Sequence, residues 1–190
     1  MLMRSLAGQL LLASRKLGDP NFHRTIVLMI QHDKDGALGL VLNRPLEVTI
    51  KEACEEGLEI HCRADGFLHQ GGPCEGPLMS LHAHPDAASH FGSEERGEVL
   101  DGLYFSTDQD ELEWLLRQES PKALFFIGYS GWAPGQLEKE LAAGSWLVTS
   151  ATQGNVFDAD SSGQWARLTS QASLGGRVKP ELIPDDPSVN

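Results

Sequence analysis

Residues 123–144 read ALFFIGYSGWAPGQLEKELAAG, and the fold follows from how this stretch divides. ALFFIG is a continuous apolar run between Pro121 and Gly128, the pattern of a strand covered on both faces. YSGWAP reads as a loop. The spacing after it predicts a helix over 135–143, closed by Gly144 as a C-terminal cap. A strand, a marked loop and a helix in this order raise the question of a nucleophile elbow, because GYSGW differs from G-x-S-x-G only in its last residue.

The residues argue against an elbow. Its fifth position is Trp132, where the tight strand-to-helix turn needs glycine, and Pro134 and Gly135 push the helix start well past Ser130. All seven histidines precede Ser130, whereas elbow hydrolases place their general base after the serine. Glu138 adds negative charge in the helix's first turn, where an oxyanion site wants none. Ser130 therefore reads as a loop serine satisfied by local hydrogen bonds.

Outward from this stretch, TIVLMIQH (25–32) and ALGLVLNR (37–44) are two β-type runs around DKDG, a hairpin whose second strand ends with Asn43 and Arg44 before Pro45. A short helix over 49–56 follows. GPLMSLHAH and VLDGLYFS read as one strand each. Asp108 caps a helix whose stripe is Leu112, Leu115 and Leu116, SWLVTSA is a further strand, and 165–173 is a last helix. Strands interspersed with helices, including a hairpin, make an α+β architecture with a mixed sheet. The chain reads as one domain over 1–178, with 179–190 as a disordered tail on account of its prolines and scarce apolar residues.

Fifteen Lys+Arg against 27 Asp+Glu give a net charge of −12 with no basic cluster, which argues against direct nucleic-acid binding. Cys54, Cys62 and Cys74 cannot all pair, as expected of free thiols in a reducing cytoplasm. The N-terminal MLMRSLAGQLLLASRK has one early Arg and a short apolar run, as a secretion leader would, but Gly8 and Gln9 interrupt the run and no A-x-A cleavage site follows, and no run is long enough to span a membrane as a helix. His82 and His84 have strand spacing suited to two metal ligands, with His69 and Cys74 near in sequence. No third ligand at motif spacing joins them, so neither metal nor cofactor is expected.

Four motifs in order, LGDPNFHRTIVLM, GALGLVLNRP, QGGP, and GYSGWAPGQLEKEL with Trp146 after it, resemble the AlgH/YqgE family of bacterial proteins over about Leu10 to Phe157. The resemblance implies an α+β fold on a mixed, bifurcated and partly barrel-like β-sheet with helices packed around it. It brings no established catalytic residues, and a transcriptional-regulator label that some members carry. Ser145 stands where Asn often precedes the tryptophan.

Loops carry function more often than strands do. Asn43, Arg44, Gly71, Gly72, Pro73, Tyr129, Trp132 and Gln136 are accordingly the candidate binding residues, with Arg44 as the cationic contact, Trp132 as a flat wall and Gln136 as an orienting hydrogen-bond group. The function expected is that of a non-enzymatic cytoplasmic binding or regulatory protein acting on a protein partner or small ligand. The alternative is an enzyme, a hydrolase or a thiol-dependent redox protein using Cys54, Cys62 or Cys74.

Overall fold

The computed structural model describes residues 5–55, 61–91, 97–158 and 160–174; the predicted tail at 179–190 lies outside them. The strands are β1 (Gln9–Ala13), β2 (Ile26–Asp33), β3 (Gly36–Val41), β4 (Pro45–Thr49), β5 (Phe67–Gln70), β6 (Met79–His82), β7 (Glu98–Leu100), β8 (Leu103–Ser106), β9 (Ala123–Ile127), β10 (Ser130–Trp132) and β11 (Trp146–Ser150). The helices are α1 (Ile50–Ala53), α2 (Pro85–Phe91), α3 (Gln109–Leu116), α4 (Gln136–Ala142), α5 (Gln153–Val156) and α6 (Ser161–Leu174), with a 3-10 turn at Pro20–Phe22.

The strands form two sheets. The first, in the order β10-β3-β2-β1-β11, is antiparallel throughout; the second, β4-β5-β9-β6-β8-β7, contains one parallel pair, β5 with β9. The chain passes from the first sheet to the second between β3 and β4, and returns between β9 and β10. That pair of crossings is the bifurcation. Among the described residues the sheets remain open, with no closed barrel.

Inner faces of the two sheets meet through Leu10, Leu12, Ile26, Leu28 and Leu40 on one side and Met79, Leu81 and Phe126 on the other, with Leu168 of α6 at the margin. The outer face of the first sheet (Leu11, Val27, Met29, Val41) is covered by Leu137 of α4 and by Trp132 and Trp146. The outer face of the second (Leu68, Phe125) is covered by Ile50, Ala87, Leu112, Leu115 and Leu116 from α1, α2 and α3. The central strands β1 and β9 are thus covered on both sides over most of their length, which is why QLLLA and ALFFI read as unbroken apolar runs.

Local signals explain most helix starts. Asp108 accepts the Glu111 N–H at 3.0 Å, and Thr49 with Glu52 forms a capping box on α1. Other expectations need correction. YSGWAP is not a loop, because Ser130–Trp132 pairs with Ala37–Gly39 as β10. VLDGLYFS is two strands folded about Asp101–Gly102. β3 stops at Val41, and Pro45 opens β4 rather than merely ending its predecessor. The helix read at 49–56 is assigned as α1 over Ile50–Ala53, and the last helix begins at Ser161. β1, lying between β2 and β11, and β5 gave no strand reading at all.

Backbone segments pass close to one another at the crossing between the sheets. A Cβ on Gly71 would lie 2.2 Å from the Gly128 carbonyl oxygen, and one on Gly72 would lie 2.3 Å from Tyr129 backbone atoms. Gly128 itself holds φ at 69°, in the left-handed region. Gly71→Ala is therefore expected to destabilise the fold by about 1–3 kcal/mol or more, since backbone cannot retreat as a side chain can. Gly18→Ala, with nothing within 4 Å, should be neutral. Melting temperatures check both, and equal values for the two variants would refute the crossing as a constraint.

Candidate functional site

Six of the eight candidate residues belong to the crossing. Gly71 is hydrogen-bonded on both sides: its N–H donates to Ile127 O at 2.9 Å and its carbonyl accepts Val41 N–H at 2.8 Å. Gln70 N–H donates to Arg44 O at 2.8 Å, and Gln70 Nε2 donates to Gly72 O at 2.5 Å. Tyr129 exchanges two backbone hydrogen bonds with Cys74, each 3.0 Å, just past exposed Pro73. Asn43 is buried and joins the first motif: its Oδ1 accepts Ile26 N–H at 2.9 Å and its Nδ2 donates to Arg24 O at 2.8 Å. Those bonds hold Arg24 at φ 55°, unusual for a residue with a side chain. The Arg24 guanidinium lies over Trp165, and the Arg44 guanidinium donates to His23 O.

Trp132 and Gln136 lie elsewhere, toward the start of β3, where Trp132 pairs with Ala37. Trp132 is only 6% exposed, and its indole N–H donates to Glu140 Oε2 at 3.0 Å. Trp146 donates to the same oxygen at 2.7 Å, and Gln136 Nε2 donates to Glu140 Oε1 at 2.9 Å. Phe22 stacks on Trp132 at 6.2 Å and meets Trp146 edge-on at 5.4 Å. Phe22 thus packs the first motif against both tryptophans, and Glu140 ties α4 to them through one carboxylate. In the sequence it was just one more charge in a helix, and its spacing from the two tryptophans was the signal available.

Ser130 is fully buried, and its hydroxyl donates to Gly71 O at 3.1 Å, across the crossing rather than locally. Sequence reasoning missed a second buried polar group on the outer face of the second sheet. His82 and Glu111 are both fully buried, with His82 Nε2 3.1 Å from Glu111 Oε1 but poorly aligned for a hydrogen bond. Ser80 lies two residues before His82 on the same strand face, so serine, histidine and carboxylate stand together. They do not form a triad. His82 Nδ1 already accepts His84 N–H at 3.3 Å and Nε2 faces Glu111, which leaves no ring nitrogen for the serine.

His84 Nε2 accepts Lys122 N–H at 3.1 Å, and among the described residues no three His, Cys, Asp or Glu side chains are placed to hold a metal ion. The Cys54 thiol is pushed up to about 12, first by burial and then by the neighbouring Cys62 thiol, which suppresses thiolate chemistry at neutral pH.

Two predictions follow from these bonds. Glu140→Ala strands two indole N–H groups and should cost roughly 2–4 kcal/mol, whereas Ser130→Ala should cost about 1 kcal/mol, because Gly71 O keeps Val41 as a donor. Denaturant titration measures both, and a Glu140→Ala variant as stable as Ser130→Ala would refute the hub. Burial lowers His69, His82 and His84 below the ordinary histidine value. The unfolded chain then takes up protons that the folded one refuses, so stability should fall as pH drops below about 6.5. A melting temperature unchanged from about pH 7.5 down to 5.5 would contradict this.

Comparison with known proteins agrees with the geometry. A family model described as DUF179, AlgH-like, matches residues 10–178. A UPF0301 protein of Myxococcus xanthus is 42% identical over 165 residues, 86% of this chain and 88% of that one. Another, from Chlorobium luteolum, is 38% identical over 190 residues, 98% and 94% of the two chains. The solution structure of the AlgH protein from Pseudomonas aeruginosa superposes with a TM-score of 0.68 at 28% identity, over 97% of this chain and 96% of that one. A crystal structure of a Corynebacterium diphtheriae protein shares the fold, with a TM-score of 0.70 at 21% identity over 93% of this chain and 89% of that one. With its motifs assembled into one bifurcated fold and matched along nearly its whole described length, the chain belongs to the AlgH-like family.

Proposed function

We propose that this chain is a non-enzymatic binding protein, cytoplasmic and regulatory in role, that docks a partner protein at the β4–β5–β9 end of the second sheet. One observation supports the reading above others. The exposed large apolar side chains among the described residues are Val48 (42%), Phe67 (50%) and Ile127 (38%), and they belong to three adjacent strands of one sheet. Single exposed apolar residues are ordinary; these three point to both faces of the sheet, Ile127 beside Gln70 on the Phe125 face and Phe67 on the other, so the partner would grip the β4 end of the sheet from both sides rather than lie on one face. Arg44 and exposed Pro73 flank this region, through the Gln70 bond to Arg44 and the chain that follows Gly72.

Ser130, His82 and Glu111 are buried, and no helix among the described residues is long and apolar enough to cross a membrane. The test is capture from a lysate of the protein's own cells on immobilised chain, followed by mass spectrometry. Val48→Asp and Phe67→Asp should leave the chain folded with a cooperative thermal melt and abolish capture of the specific partner. Undiminished capture by both folded variants would refute this surface.

A further inference from the structure

An edge strand carries a row of unused N–H and C=O groups, and proteins guard such edges with proline, charge, bulges or shortness. Three of the four edges here are guarded. β4 begins with Pro45, carries Glu47 and pairs irregularly with β5. β7 and β10 are three residues each; β7 starts with Glu98, and Ala133–Pro134 follows β10. β11 has none of these devices. Its five residues, WLVTS, include no proline and no charge, and they pair one for one with β1 without a bulge.

The hydrogen-bond ladder fixes which groups of β11 are spare. Ala13 N–H donates to Thr25 O on the β2 side, and Ser14 N–H donates to Ser145 O on the β11 side. Bonding direction alternates along an antiparallel strand, so Leu147 and Thr149 face β1, while the N–H and C=O of Trp146, Val148 and Ser150 point outward. Among the described residues these outward groups have no partner. Beside them a cavity of about 590 Å³ runs between Leu147 and α6. Ala166, Ser170 and Ser173 line its α6 side, exposed and spaced to share one helix face.

We propose that β11 is a homodimer interface, at which a second copy of the chain adds its own β11 antiparallel across a two-fold axis through Val148. Two five-stranded sheets then join into one continuous sheet. The edge is self-complementary in the way a two-fold contact requires. Centred on Val148, Trp146 lies opposite Ser150 and Leu147 opposite Thr149, and the outward N–H and C=O rows meet each other. A second copy suits this strand because all five residues are neutral, so two chains of charge −12 meet there without like charges face to face. The axis stands perpendicular to the joined sheet and brings the two α6 helices together on one side, over the cavity. Ala166, Ser170 and Ser173 are small enough for close approach.

This interface is separate from the partner surface proposed above. The test is sedimentation of the full chain at several concentrations, with amide hydrogen exchange. The expected mass is twice 20.7 kDa at about 100 µM, well above the dissociation constant of a specific micromolar dimer. Val148 and Ser150 amides should lose protection on dilution, while Leu147 and Thr149, bonded to β1, keep theirs. Val148→Pro removes an outward N–H while sparing the N–H groups bonded to β1, alters the packing of Val148 against the Trp132–Trp146 cluster, and should weaken the dimer about tenfold or more. Ala166→Arg, which leaves the strand untouched, should do the same by adding a bulky cation beside Arg15, which lines the same cavity, on both sides of the axis. A monomer at about 100 µM, dimers of undiminished affinity in both variants, or Val148 protection that survives dilution would each overturn the proposal. The last result would mean that another segment covers the edge.

Discussion

The fold depends on two backbone segments passing almost in contact. Gly71 and Gly72 lie against Gly128 and Tyr129 at distances that leave no room for a Cβ, and the hydrogen bonds of Gly71 tie both sheets to this point. β9 can leave one sheet and continue as β10 in the other only because its exit passes through this gap. The neighbouring exit, from β3 into β4, is held by Asn43, whose side chain satisfies backbone groups of the preceding segment. Side chains at either position would push the sheets apart and open the inner core of Leu28, Leu40, Leu81 and Phe126.

This constraint changes what the motifs mean. Glycine, asparagine and tryptophan grouped in apparent loops suggest a ligand site, and that was the reading of Asn43, Gly72 and Trp132. In the folded chain those same residues bridge the two sheets or hold α4 onto one of them. Glu140 accepts two indoles and an amide, and Asn43 spends both ends of its side chain on backbone. A buried polar group is costly unless bonded, so the bonds explain the residues without a ligand. Exposed apolar side chains on β4, β5 and β9, and the bare edge of β11, are different in kind. The internal packing of the chain gives no account of them.

Much of the fold was legible because it rests on local rules. The β2–β3 hairpin, the Asp108 cap, the double-faced burial of ALFFI and the α4 helix each follow from periodicity, capping or turn chemistry within a dozen residues. The misreadings share one cause. YSGW has too few residues to announce a strand and becomes one only by pairing with β3, across some ninety positions of sequence. QLLLA was weighed as a leader-like run, although the same leucines suit a strand with both faces covered.

The sequence by itself determined the α+β class, most elements, the absence of a serine elbow at Ser130 and the family resemblance, since these depend on spacing along the chain. Tertiary structure alone decided that the glycine pair is a crossing, that Glu140 joins two tryptophans, that Ser80, His82 and Glu111 share one buried face, and that β11 has an open edge. Each of these is a relation between residues far apart in sequence. No local pattern encodes it, because hydrogen bonds and steric exclusion act on distance in space.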